Sequence, residues 1–393
     1  MRPPASPPSL FTLILLTAAT TLALSLFLPS LPAIADDFGV SDEVAGLSLS
    51  GFLAVQAAIL VFLAPIADRV GRRPVLLWSM GVFALSSAGS ALSPDIWTFL
   101  AFRMAQAVAI LGATLAMAIV RDMRDEREAA GLIGLIGAAM AAAPMLGPML
   151  GGLVAEAFGW RACLWLLAAL GAAVWLTTLL DLGETRREGP SDADRRAASG
   201  ALLGSARFSA HAICASASRV TFYVYVAGAP LAAAAFGAGA AETGVYVGAI
   251  TAGFLVGSVA AARIAPHVEP TTLILTGRLM CILGPAVSLA LLAGGAASPL
   301  ALFRPTVLVG AGNGIGIPGS LSRAMSVRPD LSAAASGLIG ALTVGAGAAL
   351  AGLVGLVVAG DAAPLRFLGM LIATGVAGLG AALVAWRLDR RAL

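Results

Sequence analysis

Hydrophobic residues occur in long stretches that repeat along the whole chain, and polar segments separate them. Most stretches are roughly 20 residues long, the length that crosses a bilayer as an α-helix. The pattern therefore predicts twelve membrane-spanning helices. Their ranges are 10–29, 44–66, 75–93, 96–120, 130–154, 160–181, 208–231, 243–263, 271–293, 300–322, 332–358 and 365–387.

One polar connection is longer than the others and lies almost at the middle of the chain. We interpret residues 182–207 as a linker between an N-terminal half, 1–181, and a C-terminal half, 208–393, with six spans each. A weak internal repeat supports this division, because AAGLIG at 129–134 returns as ASGLIG at 335–340. The chain is thus expected to contain two related halves.

A second set of matches lies near the ends of spans one and seven, with a constant shift of 198 positions. Paired six-helix halves are typical of secondary transporters, whose substrate site lies near the bilayer midplane. The predicted fold is an all-α integral membrane protein, with two six-helix pseudo-repeats around a central cavity. The matched residues are Pro32, Phe38, Gly39 and Gly46 in the first half and Pro230, Phe236, Gly237 and Gly244 in the second.

The composition agrees with a membrane protein, since hydrophobic residues make up 59% of the 393 residues and charged residues only 11%. That charged fraction is under half of the roughly 25% usual in soluble domains. It excludes a soluble, disordered or disulfide-stabilised protein, and also a nucleic-acid-binding one. The expected partners are the lipid bilayer and a small-molecule substrate.

Residues that could carry catalysis or bind a metal are few and scattered. The three cysteines lie in apolar spans, and we interpret His211 and His267 as isolated loop polars, because no metal-ligand spacing is present. The glycine-rich run at 310–316 matches no phosphate-binding loop and lies inside an apolar span, which favours helix packing. We expect no metal, no cofactor, no catalytic residue and hence no enzyme.

The distribution of arginine predicts the orientation of the chain in the membrane. All 24 basic residues are Arg, and if the N-terminus is cytoplasmic, 18 of them fall in inner segments. Cytoplasmic segments of membrane proteins carry such an excess of cations. We therefore expect a multi-pass protein of the inner (plasma) membrane with both termini cytoplasmic.

The connection between spans two and three, APIADRVGRRP at 64–74, places one carboxylate among three guanidiniums at a helix end. It can hold two helices together, although a positively charged loop with a glycine turn would look similar. The segment resembles motif A of the major facilitator superfamily, Gly-x-Leu-x-Asp-Arg-x-Gly-Arg-Arg, with Ala64 in place of the first Gly. The resemblance implies a role in the cytoplasmic gate for the matching residues. These are Asp68, Arg69, Gly71, Arg72 and Arg73.

Span five contains PMLGPMLGG at 144–152, with two prolines and three glycines in nine residues. In a bilayer such a segment is either a bendable, tightly packed helix or a plain helix-packing surface. It resembles motif C of the superfamily's twelve-span drug/proton antiporters, which favours export over import. The residues concerned are Pro144, Gly147, Pro148, Gly151 and Gly152.

Span four carries Arg103 and, one turn later, Gln106. A charged side chain within hydrocarbon costs several kcal/mol and normally faces a cavity or a partner, although an arginine can also reach outward to the membrane surface. The pair resembles motif B, Arg-x-x-Gln-Gly, with Ala107 in place of the Gly. We expect both side chains to share one polar environment near the cavity.

The segment SLFLPSLPAI at 25–34 resembles the start of the Bcr/CflA drug-resistance group, Asp-Met-Tyr-Leu-Pro-x-Leu-Pro. Ser25 stands where that group has an acid, and Phe27 stands where it has Tyr. The resemblance implies a monomeric antiporter that exchanges protons for drug-like compounds or metabolites and so contributes to multidrug efflux and antibiotic resistance. No acid falls in the middle of a predicted span, so proton coupling rests on the resemblance alone.

Arginines within the C-terminal half leave a second function open. Arg219 lies near the middle of span seven, whereas Arg278 and Arg304 are closer to helix ends, where capping or outward reach is expected. An exporter or facilitator of organic anions would use such residues without a membrane carboxylate. A transport-inactive sensor and, less plausibly, an intramembrane enzyme are further alternatives. The candidate cavity residues are Ser25, Phe27, Arg219, Tyr223 and Asn313.

The substitution Asp68→Asn tests the gating hypothesis. It removes the carboxylate that pairs with the neighbouring arginines and keeps the shape of the side chain, so expression should stay normal. Because charge-assisted hydrogen bonds contribute about 1.5–3 kcal/mol, we expect transport to fall about tenfold or more. Normal flux from well-folded Asp68→Asn protein would rule the role out.

Overall fold

The structure is a computed structural model that describes residues 9–63, 66–67, 70–123, 146–183, 192–328, 331–358, 360 and 362–391. Over these ranges the chain contains helices and no strand, and eleven helices are long and apolar enough to cross a membrane. A shorter apolar helix, Leu146–Phe158, occupies the described part of the predicted fifth span. The predicted all-α, polytopic fold is confirmed.

Contacts between helices divide the chain into two compact units, Met1–Gly189 with Ala240–Val245, and Pro190–Gly239 with Tyr246–Leu393. The helices of the first unit agree with the predicted spans to within a few residues, except at the first span. The described helices of the first unit are α1 Leu10–Ser25, α2 Leu31–Phe38, α3 Asp42–Phe62, α4 Arg72–Ala91, α5 Ile96–Gln106, α6 Ile110–Met123, α7 Leu146–Phe158 and α8 Trp160–Asp181.

The first span is longer than predicted and runs from Leu10 to Phe38. The prediction ended it at Pro29, because proline lacks a backbone N–H and usually stops a helix. Here a 3-10 turn, Leu28–Ser30, follows α1 and leads directly into α2. The two segments therefore form one span with a 3-10 turn inside it.

The second unit also follows the predicted spans, but it contains an additional helix inside the predicted linker. That helix, α9, covers Asp192–Leu203, and Ser205 then caps the next helix by accepting a hydrogen bond from the Phe208 amide. The first six residues of the helix that begins at Ala240 group with the first unit. The remaining helices are α10 Ala206–Ala234, α11 Ala240–Ile264, α12 Pro270–Ala293, α13 Pro299–Ser326, α14 Ser332–Val357 and α15 Ala363–Arg391.

The internal repeat has a structural counterpart at the ends of the first and seventh spans. Gly39 follows α2 with φ +63°, and Gly237 lies three residues beyond α10 with φ +73°. Glycine adopts this left-handed conformation without the steric penalty of a Cβ atom, which makes it the usual residue just after a helix. The repeated Phe-Gly pair thus ends a span in each unit.

Glycines on two faces of α13 pack against two neighbouring helices, α11 and α12. A methyl group added at Gly310 or Gly314 would collide with the backbone of α11, and one added at Gly312 would collide with the backbone of α12 at Gly277. Gly310 and Gly314 are four residues apart and so lie on one face of the helix, while Gly312 lies two positions away. The glycine-rich run is a helix-packing surface, as the sequence indicated.

The glycines of α7 bring that helix into backbone contact with the first span. A methyl group at Gly147 would meet the Ser25 hydroxyl, and one at Gly151 would overlap the Leu26 carbonyl. Gly152, on another face, lies against Ala240 at the start of α11. Small residues permit such close approach between helices in a bilayer.

Gly151→Ala tests this packing, because even one methyl group has no room beside the Leu26 carbonyl. We expect a loss of about 1–3 kcal/mol in stability, measured as a lower Tm of the purified protein in detergent. Gly369→Ala is the matched control, since nothing lies within 4 Å of the position its methyl group would take. A similar Tm for both variants would show that α7 does not depend on this contact.

Candidate functional site

Arg103 lies in the interior of the first unit and is fully buried. Its guanidinium carbon is 4.0 Å from the centre of the Phe27 ring and 4.6 Å from that of Phe52. Both terminal nitrogens donate to the Ala23 carbonyl at 3.3 Å, and one also donates to the Gln106 side chain. Two aromatic faces and these acceptors therefore compensate the buried charge.

Gln106 continues this polar network into α4. Its amide nitrogen donates to the Ser90 hydroxyl at 3.0 Å and to the Ser86 carbonyl at 3.4 Å. Gln106 is fully buried as well. The structure thus brings the two residues that resemble motif B together, and it links α1, α4 and α5 through them.

A short 3-10 segment, Ala107–Ala109, follows Gln106 and interrupts the span between α5 and α6. Thr20 of α1 inserts its hydroxyl there, donating to the Ala109 carbonyl and accepting from the Ala113 amide. In a regular α-helix those two backbone groups would bond to each other. Such mid-helix 3-10 segments often mark hinges. Sequence reasoning missed Thr20, although a threonine within an apolar helix is a usable signal.

Two of the candidate cavity residues are buried in the first unit. Ser25 is 2% exposed and donates its hydroxyl to the Thr21 carbonyl at 3.0 Å, and Phe27 is fully buried under Arg103. Their side chains pack against α7 and Arg103 respectively. Their role in a substrate cavity stays a prediction.

The gate residues are only partly described. Asp68, Arg69 and Pro144 of the predicted motifs lie outside the described residues. Gly71 precedes α4 with φ +114°, a conformation that favours glycine, and Arg72 is buried.

Arg73 ties the start of α4 to the end of α8. Its Nε donates to the Leu182 carbonyl at 2.7 Å, and a terminal nitrogen donates to the Leu179 carbonyl at 3.0 Å. The last carbonyls of a helix lack intrahelical partners and carry partial negative charge, so a cation there is stabilising. Arg73 therefore joins two helix ends, and its role in a gate stays a prediction.

The candidate cavity residues of the second unit, Arg219, Tyr223 and Asn313, differ in burial and in contacts. Arg219 is exposed, and Tyr223, one turn along α10, packs its ring against Gly347. Asn313 is 3% exposed, and its side-chain oxygen is 3.4 Å from the sulfur of Cys281. Among these three residues, only Arg219 presents an exposed charge.

Arg278 and Arg304, both expected near helix ends, differ in burial. Arg304 is exposed, whereas Arg278 is fully buried, so outward reach is wrong for Arg278. The prediction placed Arg278 close enough to the start of its helix for the guanidinium to reach the membrane surface. The side chain instead lies in the interior of the unit, next to Gly316 and Gly378 of two other helices.

A buried carboxylate that sequence reasoning missed, Asp389, lies in the last helix. It accepts from Arg207 Nε at 2.6 Å and from Arg323 at 2.9 Å, and His211 Nε2 is 3.1 Å from it. His211 is 3% exposed within α10, where the predicted span 208–231 places it, so it is not a loop polar, and its contact with Asp389 was not predicted. Asp389 was missed because α15 continues past the predicted end of the span. The spacing of Arg207 and His211, one helical turn apart, was the available signal.

The arrangement of buried polar groups in a bundle of apolar helices is that of a membrane transport protein, and comparison with known families agrees. The family model of the Major Facilitator Superfamily matches residues 13–352. The chain belongs to the Major Facilitator Superfamily. This family and the similar solved structures are transporters rather than enzymes, in agreement with the sequence.

Curated relatives include the multidrug resistance protein MdtL of Escherichia coli and of Escherichia fergusonii. Each is 34% identical over 189 residues, which are 47% of this chain and 47% of the relative. The match therefore spans about half the length of these relatives.

Solved structures resemble nearly the whole chain. A bacterial homolog of the human lysosomal transporter Spinster has a TM-score of 0.79 at 18% identity, covering 97% of this chain and 96% of that one. A D-xylose–proton symporter has a TM-score of 0.77 at 14% identity, with 96% and 97% covered. The human organic anion transporter MFSD10 has a TM-score of 0.68 at 19% identity, with 96% and 98% covered. These likenesses show the fold.

Arg103→Lys tests whether the planar guanidinium is what the first unit requires. Lysine cannot contact two aromatic faces and the Ala23 carbonyl with one flat group, so we expect a loss of about 2–3 kcal/mol in stability. Arg304→Lys is the control, because Arg304 is exposed. A substitution of an exposed side chain away from such contacts changes stability by under about 0.5 kcal/mol. Equal decreases in Tm would contradict the account.

Proposed function

We propose that the chain is a secondary active transporter that exports small drug-like molecules or metabolites across the inner membrane. The observation that carries this proposal is α7, whose sequence resembles the antiporter motif C and whose glycines rest on the backbone of the first span. Pro148 within it donates no backbone hydrogen bond, and contacts between small residues present few side chains that resist movement. Such a helix suits a protein that alternates between two accessible states.

The matched relatives support export as the direction. Both are named multidrug resistance proteins, and resistance by a membrane transporter requires that the drug leave the cell. We assign the chain two functional halves, 1–181 and 208–393, joined by the cytoplasmic segment 182–207. The excess of arginine in alternate connections supports a cytoplasmic position for both termini. The protein acts as a monomer.

Protons are the proposed coupling ion, and the cluster around Asp389 is the proposed site of proton exchange. Coupling requires a buried polar group that can exchange a proton, and the buried contact between His211 and Asp389 is our candidate for it. Arg207, in α10 like His211, and Arg323 of α13 also donate to the Asp389 carboxylate. Arg323 in addition donates to the Thr271 hydroxyl of α12 at 3.4 Å. Protonation of the Asp389 carboxylate would weaken its contacts with α10 and α13.

The gate is proposed to lie at the start of α4, where Arg73 already binds the end of α8. Asp68 would supply the matching negative charge, and Arg69 and Arg72 belong to the same sequence motif. Opening of the gate then requires a few charge-assisted hydrogen bonds to separate, a cost of several kcal/mol that substrate or proton binding can offset.

The direct test is a drug-susceptibility and dye-efflux panel in an efflux-deficient bacterial host that expresses the chain. We expect higher resistance to at least one compound and lower accumulation of the corresponding dye. Host cells that express the chain with the Asp68→Asn substitution serve as the matched control. No change in accumulation of any compound, with normal amounts of protein in the membrane, would contradict export.

Export of organic anions is the second candidate function, favoured by the exposed guanidinium of Arg219. No described carboxylate pairs with it, and an arginine that faces lipid at mid-depth would cost at least about 2.5–3.5 kcal/mol. A position along the substrate path avoids this cost, because water or a substrate anion can solvate the charge there.

Arg219→Ala separates the two candidate functions. If Arg219 contacts the substrate, transport of anions should fall about tenfold, more than that of cations, because a hydrogen bond to a charged group contributes about 1.5–3 kcal/mol. Arg219→Lys should restore part of the loss, since lysine keeps the charge without the planar fork. Arg304→Ala, which removes another exposed arginine, is the control. Equal losses for anions and cations would make Arg219 structural.

A further inference from the structure

Arg278 is the feature of the second unit that the proposed mechanism does not use. The side chain is fully buried, and none of its three guanidinium nitrogens has a hydrogen-bond partner among the described residues. Arg103 differs, because acceptors and two aromatic rings surround it. Burial without any acceptor is unusual for a guanidinium, which carries five N–H donors.

Four helices form the surroundings of this guanidinium. Arg278 belongs to α12, and a methyl group added at Gly378 of α15 would lie 2.8 Å from one terminal nitrogen and 3.2 Å from Cδ. A methyl group at Gly316 of α13 would lie 3.8 Å from the other terminal nitrogen. Ala217 of α10 lies beside Gly378. The small residues Gly316 and Gly378 thus lie next to the charged group, and neither has a side chain that would displace it.

The charge of Arg278 needs compensation from outside the described residues. Arginine stays protonated in proteins, and an isolated buried ion costs several kcal/mol. Asp389 is the buried carboxylate of the described second unit, and Arg207, His211 and Arg323 already occupy it. A negatively charged ligand is therefore the group that would satisfy these donors.

We propose that Arg278 binds a small monovalent anion, either chloride or the carboxylate of a small organic acid, inside the second unit. The size follows from the surroundings, because the small residues Gly316 and Gly378 lie next to the guanidinium and Arg278 is 0% exposed, so the site is closed to solvent. The planar fork of arginine matches two carboxylate oxygens and also accommodates a single halide. The proposal is independent of which compound the protein exports.

Thermal unfolding of the purified full-length protein tests the site. At constant ionic strength, replacing the bulky sulfonate buffer anion MES by roughly 100 mM chloride or acetate should raise the Tm of the wild-type protein by about 4 °C, because a ligand that binds only the folded state stabilises it. Arg304→Gln, the matched control, should show the same increase. Arg278→Gln should show none, and Gly378→Ala should show a smaller one, since its methyl group displaces the guanidinium.

Equilibrium dialysis with radiolabelled chloride and radiolabelled acetate then shows which of the two anions, chloride or a carboxylate, binds. Saturable binding of one or both anions, lost in Arg278→Gln and retained in Arg304→Gln, would establish the site and identify its ligand. If Arg278→Gln does not fold, Gly378→Ala supplies the comparison, because it keeps the charge and should weaken binding about tenfold. Absence of saturable binding, or equal binding and equal Tm increases in all variants, would overturn the proposal and leave water as the occupant.

Discussion

Close backbone contact between helices is the constraint on which this structure depends. In a bilayer the lipid tails are as apolar as leucine, so helices associate through tight packing and polar contacts rather than through hydrophobic burial. Glycine provides that contact in both units, at Gly151 against Leu26 and at Gly314 against α11. The same positions limit which motions are possible, because an added methyl group would separate the helices or hold them in one arrangement.

Polar groups inside the apolar bundle follow from this packing. Where helices meet closely, a few side chains cross the interface and satisfy one another, as Thr20 does in the interrupted fourth span and Arg103 does between two phenylalanines. Asp389 joins two arginines and a histidine in the same manner. Arg278 departs from this rule, and its unsatisfied donors are the reason for assigning it a ligand.

The spans, their order and the role of glycine in packing could be predicted from the sequence, because hydrophobic length and small-residue spacing are local properties. The continuation of the first span past Pro29 and the extension of the last helix to Arg391 were not predicted, because the local pattern of proline and charge favours an earlier end. For the same reason the pairing of His211 with Asp389 escaped prediction, as the residues are 178 positions apart. Arg278 and Arg304 carry the same side chain, and their different burial depends on the neighbouring helices.

The central claim is that this chain couples the outward movement of a small molecule to the inward movement of protons. Transport by purified protein in proteoliposomes, with a permanently charged dye and an imposed pH gradient, measures that coupling directly. The account predicts that the dye accumulates in vesicles with an acidic interior, and that an ionophore which removes the pH gradient abolishes accumulation. Dye uptake that is independent of the gradient, or no greater than in protein-free liposomes for every exported compound, would contradict it.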